Sequence, residues 1–459
     1  MNTHYDAAII GAGPAGMAAA TTLARHGART LLLDEQPGPG GQIYRGIEAA
    51  SPSLRRILGA DYARGARLAA DLRAGTAEYA PGSAVWHVAP GREIYFTRAG
   101  LSHCVTAETL ILATGAMERP MPVPGWTLPG VFTAGGLQVL LKAAGIVNHG
   151  VVLAGSGPLL YLLAAQYVAA GAPTLVVLDT AHRADKRASL AHLPAALHPT
   201  ALAYLGKGVR LFAALWRAKV PVYRGVSDIR ITGPGKVNEI HFTYAGKTMR
   251  FPAHAVGLHA GVIPATHIPN ALGCALEWGD AQMCFRPCLD GWGNTSREKI
   301  LIAGDGGGIG GARAAEHAGR LAALEALRLL GRIDQATRDR LAAPDRAARQ
   351  AHLAIRPFLD RRYAPATEFL RPVDETIVCR CEEVTAGQVR TVARQGCQGP
   401  NQAKAFLRAG MGACQGRMCG PVVAALMADV HRTSPAAIGT ARARPPFRPV
   451  TVGELASLD

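Results

Sequence analysis

Four of the nine cysteines in this 459-residue chain carry a metal-site rhythm: Cys379-x-Cys381 and Cys414-x4-Cys419. A tight pair and a looser pair, separated by about a helix-turn-helix of sequence, supply four thiolates to one soft metal centre. Four thiolates also close a structural zinc site. The Cys-x-Cys spacing is tighter than that of common zinc ribbons and favours a [2Fe-2S] cluster, with zinc and free thiols as the alternatives. Thr385 is a helix-start residue, and Pro421 belongs to the first turn of another helix. The cysteines therefore lie on loops at helix ends, where backbone N–H groups donate to sulfur and help set a cluster potential. Cys284 and Cys288 are spaced wrongly for a redox Cys-x2-Cys pair and read as structural. Cys104, Cys274 and Cys397 read as plain buried thiols.

The elements upstream must position a second redox group. Asp6-Ala-Ala-Ile-Ile-Gly-Ala-Gly-Pro-Ala-Gly16 reads as a buried strand, a glycine turn and an Ala-rich helix to about His26. Gly11 permits the turn, Gly13 admits a pyrophosphate, and Gly16 lets the helix pack on the strand; the helix N-terminus then offers free N–H groups to phosphate. The next strand, Thr30–Asp34, ends in a carboxylate eighteen residues after Gly16, where a ribose hydroxyl is gripped. This is a dinucleotide fold.

A second fingerprint follows at Val151-Val-Leu-Ala-Gly-Ser-Gly-Pro-Leu-Leu160, with Gly155 and Gly157 in place but Leu160 at the third glycine position. Its second strand, Thr174–Leu178, is followed by Asp179, one place later than the usual acid. Leu160 is expected to push the helix off the strand and to disfavour a nicotinamide dinucleotide. The fold is expected to be structural or to hold another adenine nucleotide.

Net charge is +16, but aromatic residues are only 6% and no basic run carries interleaved aromatics, which argues against nucleic-acid binding. An odd cysteine count with one metal-like cluster points to a reducing compartment. The strand expected from Asp6 leaves no room for a signal peptide, and no apolar run is long enough to span a bilayer. A cytoplasmic protein is expected, with peripheral docking on the inner membrane face left open.

Further stretches carry a family resemblance. Gly38-Pro-Gly-Gly-Gln42, Leu110-Ile-Leu-Ala-Thr-Gly115 and Lys299-Ile-Leu-Ile-Ala-Gly-Asp305 resemble the glycine loop, the closing strand and the late strand of thioredoxin-reductase-like flavoproteins. The resemblance implies FAD contacts from Gly11, Gly13, Pro14, Ala15, Gly16, Asp34, Glu35, Gly41, Gln42, Val85, Ala113, Thr114, Gly115, Gly304 and Asp305. It places Gln42 near the flavin ring, and lets the glycines of 306–311 pass beneath it. The C-terminal segment resembles the bacterioferritin-associated-ferredoxin-like domain, in which Cys379, Cys381, Cys414 and Cys419 ligate one [2Fe-2S] cluster.

The order of parts, with Asp34-Glu-Gln-Pro-Gly-Pro-Gly-Gly-Gln-Ile-Tyr-Arg45, Ala113-Thr-Gly-Ala-Met-Glu-Arg-Pro120 and Gly412-Ala-Cys-Gln-Gly-Arg-Met-Cys419, resembles the flavoprotein α subunit of multi-subunit amine dehydrogenases. That group includes opine oxidases, D-hydroxyproline dehydrogenase, dye-linked L-proline dehydrogenase and hydrogen cyanide synthase. It implies a β flavoprotein subunit that oxidises an imino acid or opine, with this chain relaying electrons to a quinone-like acceptor. A small ferredoxin-like subunit is a further implied partner. No catalytic base is assigned to this chain. The rival readings are a self-contained NAD(P)H-dependent flavin/iron-sulfur reductase and a non-enzymatic redox or iron sensor.

The expected architecture is α/β. It has two Rossmann-like dinucleotide-binding domains of the thioredoxin-reductase-like type and a small helical [2Fe-2S] domain. Residues 1–145 and 256–335 are assigned to FAD, 146–255 to the second fold, 336–371 to a linker with some helix, and 372–432 to the cluster. The 433–459 tail is expected to be disordered or extended along a partner.

Overall fold

The computed structural model describes residues 2–172 and 175–458. Short apolar runs buried on both faces build a parallel sheet with helices against it. His4–Ile10 lies between Thr30–Asp34 and the long strand Leu101–Leu112, with Glu78–Pro81 outermost beyond Thr30–Asp34. The last residues of the long strand pair with Ile300–Ile302, so the late segment returns to complete the first sheet. Its first half instead takes the hairpin Ala84–Val88 and Glu93–Arg98 in antiparallel pairing. Helices Pro14–Arg25 and Ala312–Leu329 pack closely: a Cβ on Gly319 would stand 2.1 Å from the Ala15 carbonyl oxygen.

The second sheet is parallel throughout, in the order Val222–Arg224, Leu175–Asp179, Val151–Ser156, Ala255–Ala260, Val131–Thr133. Thr174, expected to open its second strand, lies outside the described residues. The expected boundary at 145/146 needs correction. Strand Val131–Thr133 and helix Ala134–Ala144 belong to this second fold, because Val131 pairs with Val256. Strands Ala116–Glu118 and Val262–Pro264 pair antiparallel where the chain passes out of and back into the FAD fold. An antiparallel sheet, Ser227–Thr232, Glu239–Tyr244 and Lys247–Pro252, shares a core with the parallel one.

The segment 336–371 is more than a linker. Helices Gln335–Leu353, Arg356–Arg362 and Thr367–Leu370 bury Ala342, Phe358, Phe369 and Leu370. Arg338 stacks 3.9 Å over the Trp292 ring and reaches the buried Glu325, which also pairs with Arg328.

Beyond it, helices Ala386–Arg394, Pro400–Leu407 and Gly420–Val430 enclose a small core that includes Val389, Val423, Leu426 and Met427. Thr385 and Gln388 form a reciprocal capping box at the first of these helices. The tail also departs from expectation, since it is packed on its own chain. Phe447 is buried in the FAD-fold core, and a final helix Val452–Ala456 follows. Among the described residues no helix is long and apolar enough to cross a membrane.

Burial alone would raise the Glu325 carboxyl, but hydrogen bonds from Arg328, Arg338 and Asn294 outweigh it and hold the group down to about 2. Its contribution to stability is therefore complete above the ordinary carboxylate range and is lost as pH falls towards 2. Glu325→Gln should cost about 3 kcal/mol at pH 7. In urea melts the gap to the parent chain should close as pH drops below 4.

Candidate functional site

The FAD residues expected from sequence gather at the carboxyl ends of the first sheet. Helix Pro14–Arg25 starts at Gly13 with no side-chain cap, which leaves its first N–H groups for a ligand. Gly11 has φ +106, and a Cβ on Gly16 would stand 1.8 Å from the Gly11 carbonyl oxygen. Asp34 accepts the Ala12 N–H at 2.6 Å and the Gln36 N–H at 2.8 Å, so it braces both loops. The exposed carboxylate beside it belongs to Glu35.

Gly40 donates its N–H to the Ala12 carbonyl, and a Cβ on Gly41 would come within 2.9 Å of the Gly13 Cα. The Gly38–Gln42 loop thus lies on the fingerprint turn. Ala113–Gly115 continue the long strand, and Ala113 donates its N–H to the Ile10 carbonyl. Gly304 packs against Ala15, and half-buried Asp305 takes the Gly310 and Gly311 N–H groups on Oδ1, each at 2.9 Å. Val85 lies on the hairpin strand. A glycine-lined cradle with uncapped N–H groups is what a pyrophosphate-bearing flavin needs, so the residues fit FAD.

One buried residue escaped the sequence reading. The Lys142 Nζ donates to the Gln42 carbonyl at 3.0 Å and to Gln138 Oε1 at 2.8 Å. Gln138 in turn bonds Gln166, which bonds the Leu58 carbonyl. Burial, with nearby Arg45, pushes the ammonium down to about 7. The only sequence signal was a Gln and Lys at helical i,i+4 spacing on an otherwise apolar face.

The second fold keeps the fingerprint but closes it. Gly157 has φ +134 where Gly13 has −73, and the first turn tightens so that the Leu160 N–H bonds the Gly157 carbonyl. Leu160 is fully buried in the main core. Its bulk, expected to push the helix off the strand, is absorbed by this change in the loop. The His259 ring stands over Gly157, where a Cβ would come 2.8 Å from its Nε2, and it is held by Glu118 at 2.7 Å. Asp179, which matches Asp34 at the end of the second strand, accepts from Tyr161 Oη at 2.7 Å, Lys186 Nζ at 2.9 Å and the Ala181 N–H. Gly155 and Gly157 are therefore present, while His259 covers the phosphate loop and the strand-end acid is bonded within the protein.

The four C-terminal cysteines come together as two pairs, Cys379 with Cys419 and Cys381 with Cys414. The hydrogen bond from Cys419, then N–H groups of Gly410, Glu382 and Cys381, draw the Cys379 thiol down to about 6 against the opposing effect of burial. A Cβ on Gly412 would strike the Cys381 Cβ at 2.2 Å, so the loop must be glycine to pass. Among the described residues no three His, Cys, Asp or Glu side chains close into metal-ligand geometry. Four thiols with backbone N–H donors around them nonetheless match the chemistry of an iron-sulfur site. Cys379 and Cys419 are buried and Cys381 is exposed. Among the other cysteines, Cys274 and Cys397 are buried as expected, whereas Cys104, on the hairpin-facing half of its strand, is exposed. Cys284 is buried beside Arg119, whose guanidinium caps the carbonyls of Ala260, Gln282 and Met283.

Two outcomes are expected. Gly16→Val drives a side chain into the Gly11 carbonyl at a cost of about 3 kcal/mol; the purified chain should lose flavin absorbance while keeping its iron. Lys142 has a folded-state pKa near 7 against about 10.4 unfolded, so the unfolded chain binds more protons between those values and stability rises with pH across that window. Lys142→Met should abolish this rise in urea midpoints measured from pH 7 to 10.

Residues 5–319 match the pyridine nucleotide-disulphide oxidoreductase family and residues 377–429 the BFD-like [2Fe-2S] binding domain. The A subunit of the opine oxidase of Rhizobium meliloti (strain 1021) is 48% identical over 99% of both chains. The HcnB subunit of the hydrogen cyanide synthase of Pseudomonas aeruginosa is 34% identical over 90% of both. The crystal structure of L-proline dehydrogenase from P. horikoshii shares the fold, with a TM-score of 0.69 at 18% identity over 98% of this chain and 79% of that one. The chain belongs to the pyridine nucleotide-disulphide oxidoreductase family, within the group of opine oxidase A subunits, and is a flavin-dependent oxidoreductase subunit that binds FAD and a [2Fe-2S] cluster.

Proposed function

We propose that this chain is the electron-relaying subunit of a heteromeric dehydrogenase that oxidises a secondary amine on a companion flavoprotein and delivers the electrons to a quinone-like acceptor. The observation that carries the reading is the closed second fold. With His259 over Gly157 the phosphate loop is covered, and Tyr161 and Lys186 close over Asp179 beside it, so a nicotinamide dinucleotide finds no free phosphate loop. Reducing equivalents then have to come from another chain. That second fold is assigned a structural role, with no adenine nucleotide required. Relatives named as A subunits support a companion chain, and the opine oxidase name favours an opine over proline or hydroxyproline as the amine. A quinone acceptor argues for peripheral docking of the assembled enzyme at the inner membrane face; a small ferredoxin-like subunit is compatible with this arrangement.

FAD supplies the conversion between two-electron and one-electron steps, and a [2Fe-2S] cluster moves electrons singly. The chain's own residues hold these groups in place. The uncapped N–H groups of Gly13, Ala15 and Gly16 would take the pyrophosphate, Asp34 and Asp305 fix the loops around it, and the Glu35 carboxylate would meet the ribose. Gly41, Gln42, Val85, Thr114 and Gly304 line the remainder. Lys142, anchored on Gln42, puts a titratable charge behind the loop that would lie near the flavin ring. Cys379, Cys381, Cys414 and Cys419 hold the cluster.

Absorbance and EPR of the anaerobically purified chain test the reading. NADH should leave the flavin bands unchanged, and dithionite should produce a rhombic reduced-cluster signal. In the assembled enzyme an opine should reduce a quinone dye, and Cys379→Ser should abolish both the cluster signal and dye reduction while FAD stays bound. Flavin bleaching by NADH would make the chain a reductase in its own right. Bound zinc without iron would remove the relay.

A further inference from the structure

The tail after the cluster domain runs back across the FAD fold and is tied at successive points. The Arg442 N–H bonds Asn401 Oδ1 of the cluster domain at 2.9 Å. Asn270 of the FAD fold then accepts the Ala443 N–H at 2.8 Å and donates to Thr440 Oγ1 at 3.0 Å. Phe447 donates its N–H to the Trp86 carbonyl at 2.7 Å and buries its ring in the core that contains Val85. Arg448, the next residue, pairs with Glu35. Beyond the final helix, Ser457 Oγ accepts the Ser102 N–H at 2.8 Å.

Glu35 also feels a second arginine. Arg417, between Cys414 and Cys419, bonds the Cys414 carbonyl through Nε, and its guanidinium lies within the electrostatic reach of both Glu35 and Arg448. Arg417, Arg448, Cys381, Cys414 and Trp86 line one cleft of about 480 Å³. The Glu35 carboxylate, just after the second FAD-fold strand, therefore pairs with the tail and lies within electrostatic reach of the cluster-loop arginine.

We propose that residues 440–450 are a strap that fixes the [2Fe-2S] domain against the adenosine end of the FAD site, with Arg448 as its positioning residue acting through Glu35. The proposal rests on the placement of Glu35 at the FAD ribose. An ion pair drawn from the tail orients that carboxylate, so FAD binding and docking of the cluster domain become mutually supporting.

The test uses the full chain with Arg448→Glu, Arg448→Lys as the conservative variant, and Arg432→Glu as a charge-matched control at an exposed position outside the strap. FAD affinity is read by flavin fluorescence and tail docking by hydrogen exchange at the Phe447 amide. Arg448→Glu should weaken FAD about fivefold, as loss of a charge-assisted contact does, and should speed exchange. Arg448→Lys should recover most of both, and Arg432→Glu should change neither. FAD should slow Phe447 exchange in the parent chain, a measurement that needs no variant to fold. Unchanged FAD affinity and exchange in Arg448→Glu, or exchange in the parent chain that is indifferent to FAD, overturns the strap. A parent chain that binds no FAD would instead defeat the flavin assignment itself.

Discussion

A Cβ on Gly16 would stand 1.8 Å from the carbonyl oxygen of Gly11, and most of the flavin fold depends on the contact that its absence permits. The helix can begin hard against the strand only without a side chain there, and its first N–H groups are then left uncapped beside the turn. Everything near this point holds the turn in place. Asp34 takes the Ala12 N–H, Gly40 bonds the Ala12 carbonyl, and Gly319 of the late helix lies against the Ala15 carbonyl. Segments more than three hundred residues apart in sequence converge on it.

The two nucleotide folds show how the same topology reaches opposite ends. Both place a glycine turn at the end of the first strand and an acid after the second. In the first fold the acid braces backbone and leaves the adjoining Glu35 facing outward. In the second, burial raises the Tyr161 hydroxyl and Asp179 adds to the effect, so the phenol stays protonated and donates to Asp179 while Lys186 supplies the opposing charge. A buried carboxylate satisfied in this way strongly resists losing its partners to a ligand. The long helix Pro199–Arg217 inserted after Asp179 adds the Phe212 ring against Tyr161, completing the closure.

The cluster domain sits on the rest of the molecule through a few well-aimed polar contacts. Trp126 Nε1 bonds the Ile377 carbonyl at 2.6 Å, and His267 donates to the Gln415 carbonyl at 2.8 Å. Burial pushes the His267 ring down to about 4, so it is neutral near pH 7 and its contact with the Cys414–Cys419 loop is a neutral hydrogen bond. These contacts hold both cysteine loops from outside, at Ile377 beside the first pair and Gln415 beside the second. Electron transfer between separate groups requires that kind of fixed relation.

Much of the site was legible in the residues themselves. The glycine spacing at 11, 13 and 16, the loop at 38–42, the strands at 110–112 and 300–302 and the four cysteines are local signals, because each depends on backbone conformation or ligand type over a few residues. The helices within 336–371 read as a linker from sequence because their burial comes from distant partners: Phe358 shares a core with Ala196 and Ala201, and Phe369 packs into the core of the second fold. Strand Val131–Thr133 was placed in the wrong fold because its partner, Ala255–Ala260, lies more than a hundred residues on. Local sequence determined that this chain builds a flavin fold, a second nucleotide-like fold and a four-thiol domain. Only the tertiary structure decided that the second fold is closed by Tyr161, Lys186 and His259, that Lys142 is buried behind Gln42, and that Arg448 meets Glu35, since each arises from side chains brought together by long-range packing that no local pattern encodes.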